Sequence, residues 1–272
     1  MFDTNYYCLV AGLREYSLDG GAKGFDPHAI LDEILRELTP RDLRAVRLLY
    51  GYYDCKNLIA LRAGSPAHDP LGNFARERLK EETEHPRLLP HAIGLVLAAY
   101  ARPDGEEAEE VDTSRPFEQA LFEAYYGLCA ASPSRFLREW SDFDRTLRNV
   151  AAATTARVDG HVVGNDDVAE QLRRSSASDF GLRGELPYID AVIAAVNDES
   201  NLLEKEHKID RIRWQQAVDL AAEDYFNVNA VLSYLVRINL VARWTQLDEA
   251  RGRAMLGRLL RELDGKELIN NK

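Results

Sequence analysis

Residues Glu223 to Asp248, EDYFNVNAVLSYLVRINLVARWTQLD, carry the strongest helical periodicity in the chain. Val228, Val231, Leu232, Leu235, Ile238 and Val241 or Ala242 recur at three- and four-residue steps, an apolar stripe on a helix of about six turns. A helix this apolar belongs inside a bundle. Tyr234, Arg237, Asn239, Arg243 and Trp244 are left over, because core packing alone does not demand them. An Arg-Trp pair near the C-terminal end either caps such a helix or meets a partner.

The surroundings read as further helices. Tyr6 to Leu13 has the aromatic and β-branched character of a buried extended piece but no partner strand follows, so it forms an extended or short helical lead-in. Asp19 to Gly24 is a flexible loop. Asp26 caps a helix with Pro27 at its first position, turning Ile30, Ile34 and Leu38 inward. Thr39-Pro40-Arg41-Asp42 resembles a capping box and opens a helix to about Ala63, ended by Gly64-Ser65-Pro66. Further helices are expected over about 73–84, after Asn73, and 88–101. The acidic stretch Pro103 to Pro116, PDGEEAEEVDTSRP, is a solvated boundary. Helices then follow over Phe117–Ala131, from Ser132-Pro133 to about Val158, over 166–175, 187–197 and 201–219, and over Glu249–Asp264. The 201–219 helix should turn Leu203, Ile209, Ile212 and Val218 inward. No run of alternating strands occurs, so the fold is all-α, a single multi-helix bundle over 1–272 with a short extended N-terminal segment. Sub-bundles would cover 1–102, 116–180 and 185–272.

Composition narrows the function. A net charge of −11 argues against an extended nucleic-acid face and against adsorption to an anionic membrane. Three cysteines, Cys8, Cys55 and Cys129, without CxxC spacing, fit a reduced cytoplasmic protein. No signal peptide is visible, and the longest apolar run, Leu88 to Ala101, falls short of the roughly 20 residues that span a bilayer. The Gly20 to Gly24 loop lacks the Ser or Thr of a phosphate-binding loop. Glu204-x-x-His207 is half of a di-iron bundle motif, but no second half occurs, and Glu204 with Lys208 reads as a solvated i,i+4 pair. No catalytic residues, metal ligands or cofactor are expected.

The more productive signal is internal. Asp54, Asn57 and Arg62 punctuate an apolar helix, and Phe143-Asp144-Arg145-Thr146-Leu147-Arg148-Asn149 restates the aromatic-then-Asn arrangement. An Asn among apolar helix positions bonds the backbone or side chains of a neighbouring helix and fixes how the two pack.

Asp54-x-x-Asn57-Leu58-x-x-Leu61-Arg62 resembles the D-x-x-N-[LI]-x-x-L-x-R pattern of the C-type central-stalk adaptor of V/A-type rotary ATPases, the relative of the eukaryotic d-type component, with the Arg one position early. Val231-Leu232-Ser233-Tyr234-Leu235, with Arg243 following, is similar to that adaptor family's V-[LI]-A-Y-[IL] helix. Ile238, Asn239, Val241 and Trp244 depart from it. The opening Tyr6-Tyr7-x-Leu9-Val10-Ala11-Gly12-Leu13, with Leu186-Pro187-Tyr188-Ile189-Asp190 and Ile209-Asp210-Arg211-Ile212-Arg213-Trp214, resembles a bacterial family of uncharacterised proteins encoded with V-type ATPase subunits. The resemblance implies a cytoplasmic, non-catalytic central-stalk component, peripheral to the membrane, whose partners are the central shaft and the membrane ring. Asp54, Asn57, Arg62, Arg148, Asn149, Tyr234, Arg243 and Trp244 are the residues expected to bind partners or lock helices. The alternatives are an acidic helical scaffold or regulator without a part in rotation, and an enzyme using Glu204 and His207 around a metal.

Overall fold

The structure, a computed structural model, describes residues 4–20, 24–102, 105, 110–156, 162–164 and 166–246. Among them are eleven helices and no strand: α1 Tyr7–Gly12, α2 Pro27–Glu37, α3 Pro40–Arg62, α4 Arg76–Glu84, α5 His91–Ala101, α6 Phe117–Ala130, α7 Arg135–Ala156, α8 Asp167–Arg174, α9 Ile189–Asn197, α10 Leu202–Leu220 and α11 Val228–Gln246. The helix expected over Glu249–Asp264 lies outside the described residues. Of the two forms open to the first segment, Tyr7–Gly12 takes the helical one. With no strand beside it, the segment satisfies its amides internally, as Val10 N–H does on the Tyr6 carbonyl at 2.9 Å.

Local chemistry sets the helix ends. Asp26 accepts the His28 and Ala29 amides at 3.0 and 3.1 Å, and Thr39 accepts Asp42 N–H at 3.3 Å. The second half of that capping box is filled from elsewhere: Thr39 N–H donates to the Tyr6 hydroxyl at 3.2 Å, which in turn donates to Asp42 at 2.5 Å. Helix α3 ends in a Schellman turn, with Gly64 N–H on Leu61 O at 3.0 Å and Ser65 N–H on Ala60 O at 2.9 Å. Gly64 takes a φ of +66° there, which glycine adopts without strain. Helix α4 starts at Arg76 rather than at Asn73, because the Asn73 side chain bonds back to α3 instead of capping. Helix α11 starts at Val228, inside the Glu223 to Asp248 stretch, because the Asn227 side chain accepts Asn229 N–H at 2.9 Å and opens the helix there.

Two helices hold the interior. Helix α11 packs on α2, α3, α7 and α10, and α7 packs on α6, α8, α9, α10 and α11. The stripe on α11 widens to nearly the whole circumference: besides Val231, Leu232, Leu235, Ile238, Val241 and Ala242, residues Tyr234, Val236 and Leu240 are buried. Helix α6 packs on α3 and α5 as well as on α7, so contacts run across the acidic boundary at Pro103 to Pro116.

The face of α10 is the main departure from expectation. Leu203 and Val218 are exposed, and the buried side carries Ile209, Asp210, Arg213 and Ala217. Ion pairs to α7 and α11, rather than apolar burial alone, decide which side turns inward.

Candidate functional site

The echoed asparagines act as loop clamps. Asn57, on α3, accepts Asp69 N–H at 2.6 Å and donates to the Asp69 carbonyl at 3.0 Å. Asn149, on α7, accepts Val163 N–H at 2.9 Å and donates to the Val163 carbonyl at 2.8 Å. Each amide side chain thus reproduces one rung of a β-ladder, holding the loop that follows its own helix rather than a neighbouring helix. A side-chain amide offers one donor and one acceptor in a plane, the match for one backbone residue.

Around the first clamp, Asp54 accepts the Asn73 side-chain amide at 2.6 Å and Phe74 N–H at 3.3 Å. Burial pushes its carboxyl pKa up to about 6, which those bonds moderate. Gly72 lies so close that a Cβ there would stand 2.8 Å from both Asn57 Nδ2 and Asp54 Oδ1. Around the second clamp, Arg173 donates to the carbonyls of Val162 at 2.9 Å and Gly164 at 2.5 Å, one on each side of the clamped residue.

Beside the second clamp runs a ladder of alternating charge through three helices. Arg148 Nε donates to Asp144 Oδ2 at 2.7 Å, and Arg213 Nε donates to Asp144 Oδ1 at 2.9 Å. Arg213 Nη1 continues to Asp210 Oδ1 at 2.9 Å. The other oxygen of Asp210 accepts Arg243 Nη1 at 2.8 Å and Trp244 Nε1 at 2.9 Å, and Arg243 also pairs with Glu206. Asp210 is fully buried and tolerable only because three donors converge on it. Burial alone would raise the Asp144 carboxyl, but Arg148 and Arg213 outweigh it and hold its pKa below the usual range.

The ladder lines an open cleft of about 1090 Å³ between α3, α6, α7, α10 and α11. Tyr52 and Phe122 give it an aromatic wall, with ring centroids 5.4 Å apart, and the Arg148 guanidinium lies 4.5 Å over the Tyr52 ring. A second cavity of about 80 Å³, lined by Tyr125, Tyr126 and Trp140 among others, adjoins it at Tyr52, Arg148 and Arg213.

The eight expected residues therefore separate into groups. Arg148, Arg243 and Trp244 join one ladder through carboxylates, with Asn149 beside them on the cleft wall. Asp54 and Asn57 belong to the first clamp. Arg62 stands apart, its guanidinium 4.6 Å over Phe117 and 5.5 Å over Tyr100, joining the end of α3 to α5 and α6. Tyr234 donates to the Arg14 carbonyl at 2.9 Å and ties α11 to the N-terminal segment. Arg243 and Trp244 bind α10 and do not cap α11. Asp144, Glu206, Asp210, Arg213 and Tyr126 escape the sequence reading, although the i,i+4 step from Asp144 to Arg148 and the i,i+3 step from Asp210 to Arg213 are visible in it.

His207 bonds Asp19 at 2.9 Å and meets the edge of Trp244 at 4.8 Å, and Lys208 pairs with Asp198 instead of the expected Glu204. Among the described residues no group of three or more His, Cys, Asp and Glu stands where it would hold a metal, and no helix is long and apolar enough to cross a membrane. No curated protein and no solved structure matches the chain. A family model covers residues 3–266, nearly the whole sequence, and by it the chain belongs to the family described as protein of unknown function, DUF2764.

Proposed function

We propose that the chain is a non-catalytic helical adaptor of a bacterial V/A-type rotary ATPase, similar to the C-type central-stalk adaptor and coupling shaft rotation to the membrane ring. In this role it is cytoplasmic and peripheral to the membrane. The observation that carries the reading is the repeated device of Asn57 on Asp69 and Asn149 on Val163, two long helices each clamped to its own following loop. The first of these falls within the segment whose D-x-x-N pattern resembles that adaptor. A torque-bearing part needs connections between helices that do not yield under load, and buried, doubly bonded amides that pin the loops supply that stiffness. The test is purification of the native ATPase through a tag on one of its other components. The chain is expected in stoichiometric amount, and an intact ATPase that lacks it overturns the proposal.

The net charge of −11 favours a second reading, an acidic scaffold or regulator that binds a different protein. A stoichiometric partner unrelated to the ATPase, recovered with the tagged chain, would decide for it.

A further inference from the structure

Asp54 is 3% exposed, and its carboxylate meets only amides: the Asn73 side chain at 2.6 Å and Phe74 N–H at 3.3 Å. No lysine, arginine or histidine among the described residues pairs with it. The charged groups around it are committed elsewhere. Lys56 pairs with Asp69 at 2.9 Å, Arg76 donates to the carbonyls of Ala67 and Ser65, and Arg47 offers its backbone carbonyl to Asn73. On α4, Glu82 is taken by Arg78 and by the amides of Arg87, Leu88 and Leu89. Burial keeps the Cys55 thiol and the Tyr53 phenol protonated. A carboxylate withdrawn from water without a cation is costly, and it relieves that cost either by taking a proton or by regaining water.

Water can return from one side. Residues 70–75 connect two fixed points: Asp69, held by both Asn57 and Lys56, and the start of α4 at Arg76. Between them the Asn73 side chain and the Phe74 amide land on Asp54, and Asn73 also donates to the Arg47 carbonyl at 2.9 Å. Gly72 lets the backbone press against the carboxylate, since a Cβ there would stand 2.8 Å from Asp54 Oδ1. Three hydrogen bonds, two of them on Asp54 itself, thus close this short segment on α3.

We infer that Asp54 is a pH-sensitive latch for residues 72–74: neutral, it holds the segment closed on α3; ionised, it favours an open segment in which its carboxylate is hydrated and α3 is bared between Arg47 and Asp54. The carboxyl titrates at about 6 under the closed segment against 3.8 for the free side chain, so the closed form holds the proton more tightly. Closure is therefore strongest below the free value and weakens as pH rises through the closed one. From pH 5 to pH 7.5 the closed-to-open ratio falls about tenfold. The second clamp has no such latch, because Arg148 and Arg213 compensate Asp144.

Amide hydrogen exchange of the full chain, followed by NMR at pH 5 and pH 7.5 and divided by the intrinsic rate at each pH, reads the opening. The Phe74 amide is expected to lose about tenfold in protection between the two pH values. At pH 7.5 it should also exchange at least about tenfold faster than the amide of Leu235, a fully buried position in the middle of α11 that exchanges only when the whole molecule unfolds. In Asp54→Asn, a neutral isostere, Phe74 should keep one protection factor at both pH values. The inference is overturned by equal Phe74 protection at pH 5 and 7.5, by a fall that persists in Asp54→Asn, or by Phe74 exchange no faster than that of Leu235. If circular dichroism shows the variant unfolded, the two comparisons within the native chain decide by themselves.

Discussion

The two asparagine clamps make the same pair of hydrogen bonds in opposite electrostatic settings. Beside Asn57 the buried carboxylate, Asp54, is met by an amide side chain and a backbone N–H. Beside Asn149 the buried carboxylate, Asp144, is met by two guanidinium groups. The glycines differ as well. Gly72 is required for close approach to Asn57 and Asp54, whereas Gly164 is required for its φ of +102°. One backbone task is thus solved once by dipoles and close contact and once by full charges and a left-handed turn. Charge compensation, more than the clamp itself, sets how each site responds to perturbation.

The largest effect should come from Asp144→Asn, which keeps the shape and leaves buried Arg213 and Arg148 short of a carboxylate. Breaking such a buried pair costs about 3–5 kcal/mol, to be read from the midpoint of urea denaturation. The matching Asp54→Asn should cost little or stabilise at neutral pH, since no cation loses a partner there. Equal losses in the two variants would dissolve the comparison.

Next in size is a pH effect confined to the first clamp. Asp54 titrates at about 6 in the fold against 3.8 for the free side chain, so the folded state holds the proton more tightly than the unfolded one. Its contribution to stability is therefore greatest below the unfolded value and declines as pH rises through the folded one, by on the order of 3 kcal/mol in total. Asp144 has the opposite sign: its stabilisation is complete above the usual carboxylate range and is lost as pH falls below it. Denaturation at pH 4.5 and 7, compared between the native chain and Asp54→Asn, isolates the Asp54 part as the pH-dependent difference that disappears.

Asn57→Ala and Asn149→Ala should each cost about 1–3 kcal/mol, because each strands the backbone groups of one loop residue. The clamps share no partner, so the double variant should lose the sum. A thermal-denaturation cycle checks both points. The smallest effects, about 1–2 kcal/mol each, are expected for Gly72→Ala and Gly164→Ala. The Gly72 loss should shrink but persist in the Asn57→Ala background, because the added methyl crowds Asp54 Oδ1 as closely as it crowds the Asn57 side chain. The Gly164 loss should persist beside Asn149→Ala, because it comes from the backbone angle.

Helix order was legible because proline and capping residues stand at the starts and Gly64 stands just past the end of α3. Both asparagines were legible as buried polar groups. Their partners were not, because a backbone amide in a loop leaves no trace in the identity of Asp69 or Val163. The face of α10 was misjudged for a related reason: hydropathy favours Leu203 and Val218, whereas the observed face is chosen by Asp144 and Arg243, which lie 59 and 40 residues from Leu203. Residues adjacent on one helix, such as Asp144 and Arg148, are visible as a pair from spacing alone. The same carboxylate's second partner, Arg213, requires the tertiary fold.

The N-terminal segment is fastened to the residues around the start of α11. Tyr6 N–H donates to the Phe226 carbonyl at 2.6 Å, the Tyr7 and Phe226 rings meet at 4.7 Å, and the Tyr234 hydroxyl reaches the Arg14 carbonyl. During synthesis α1 is therefore made before its contacts at Phe226 and Tyr234, by an interval of roughly 10–40 seconds at ordinary elongation rates. The Tyr6 side chain that completes the start of α3 thus belongs to a residue whose backbone is held by the loop just before α11.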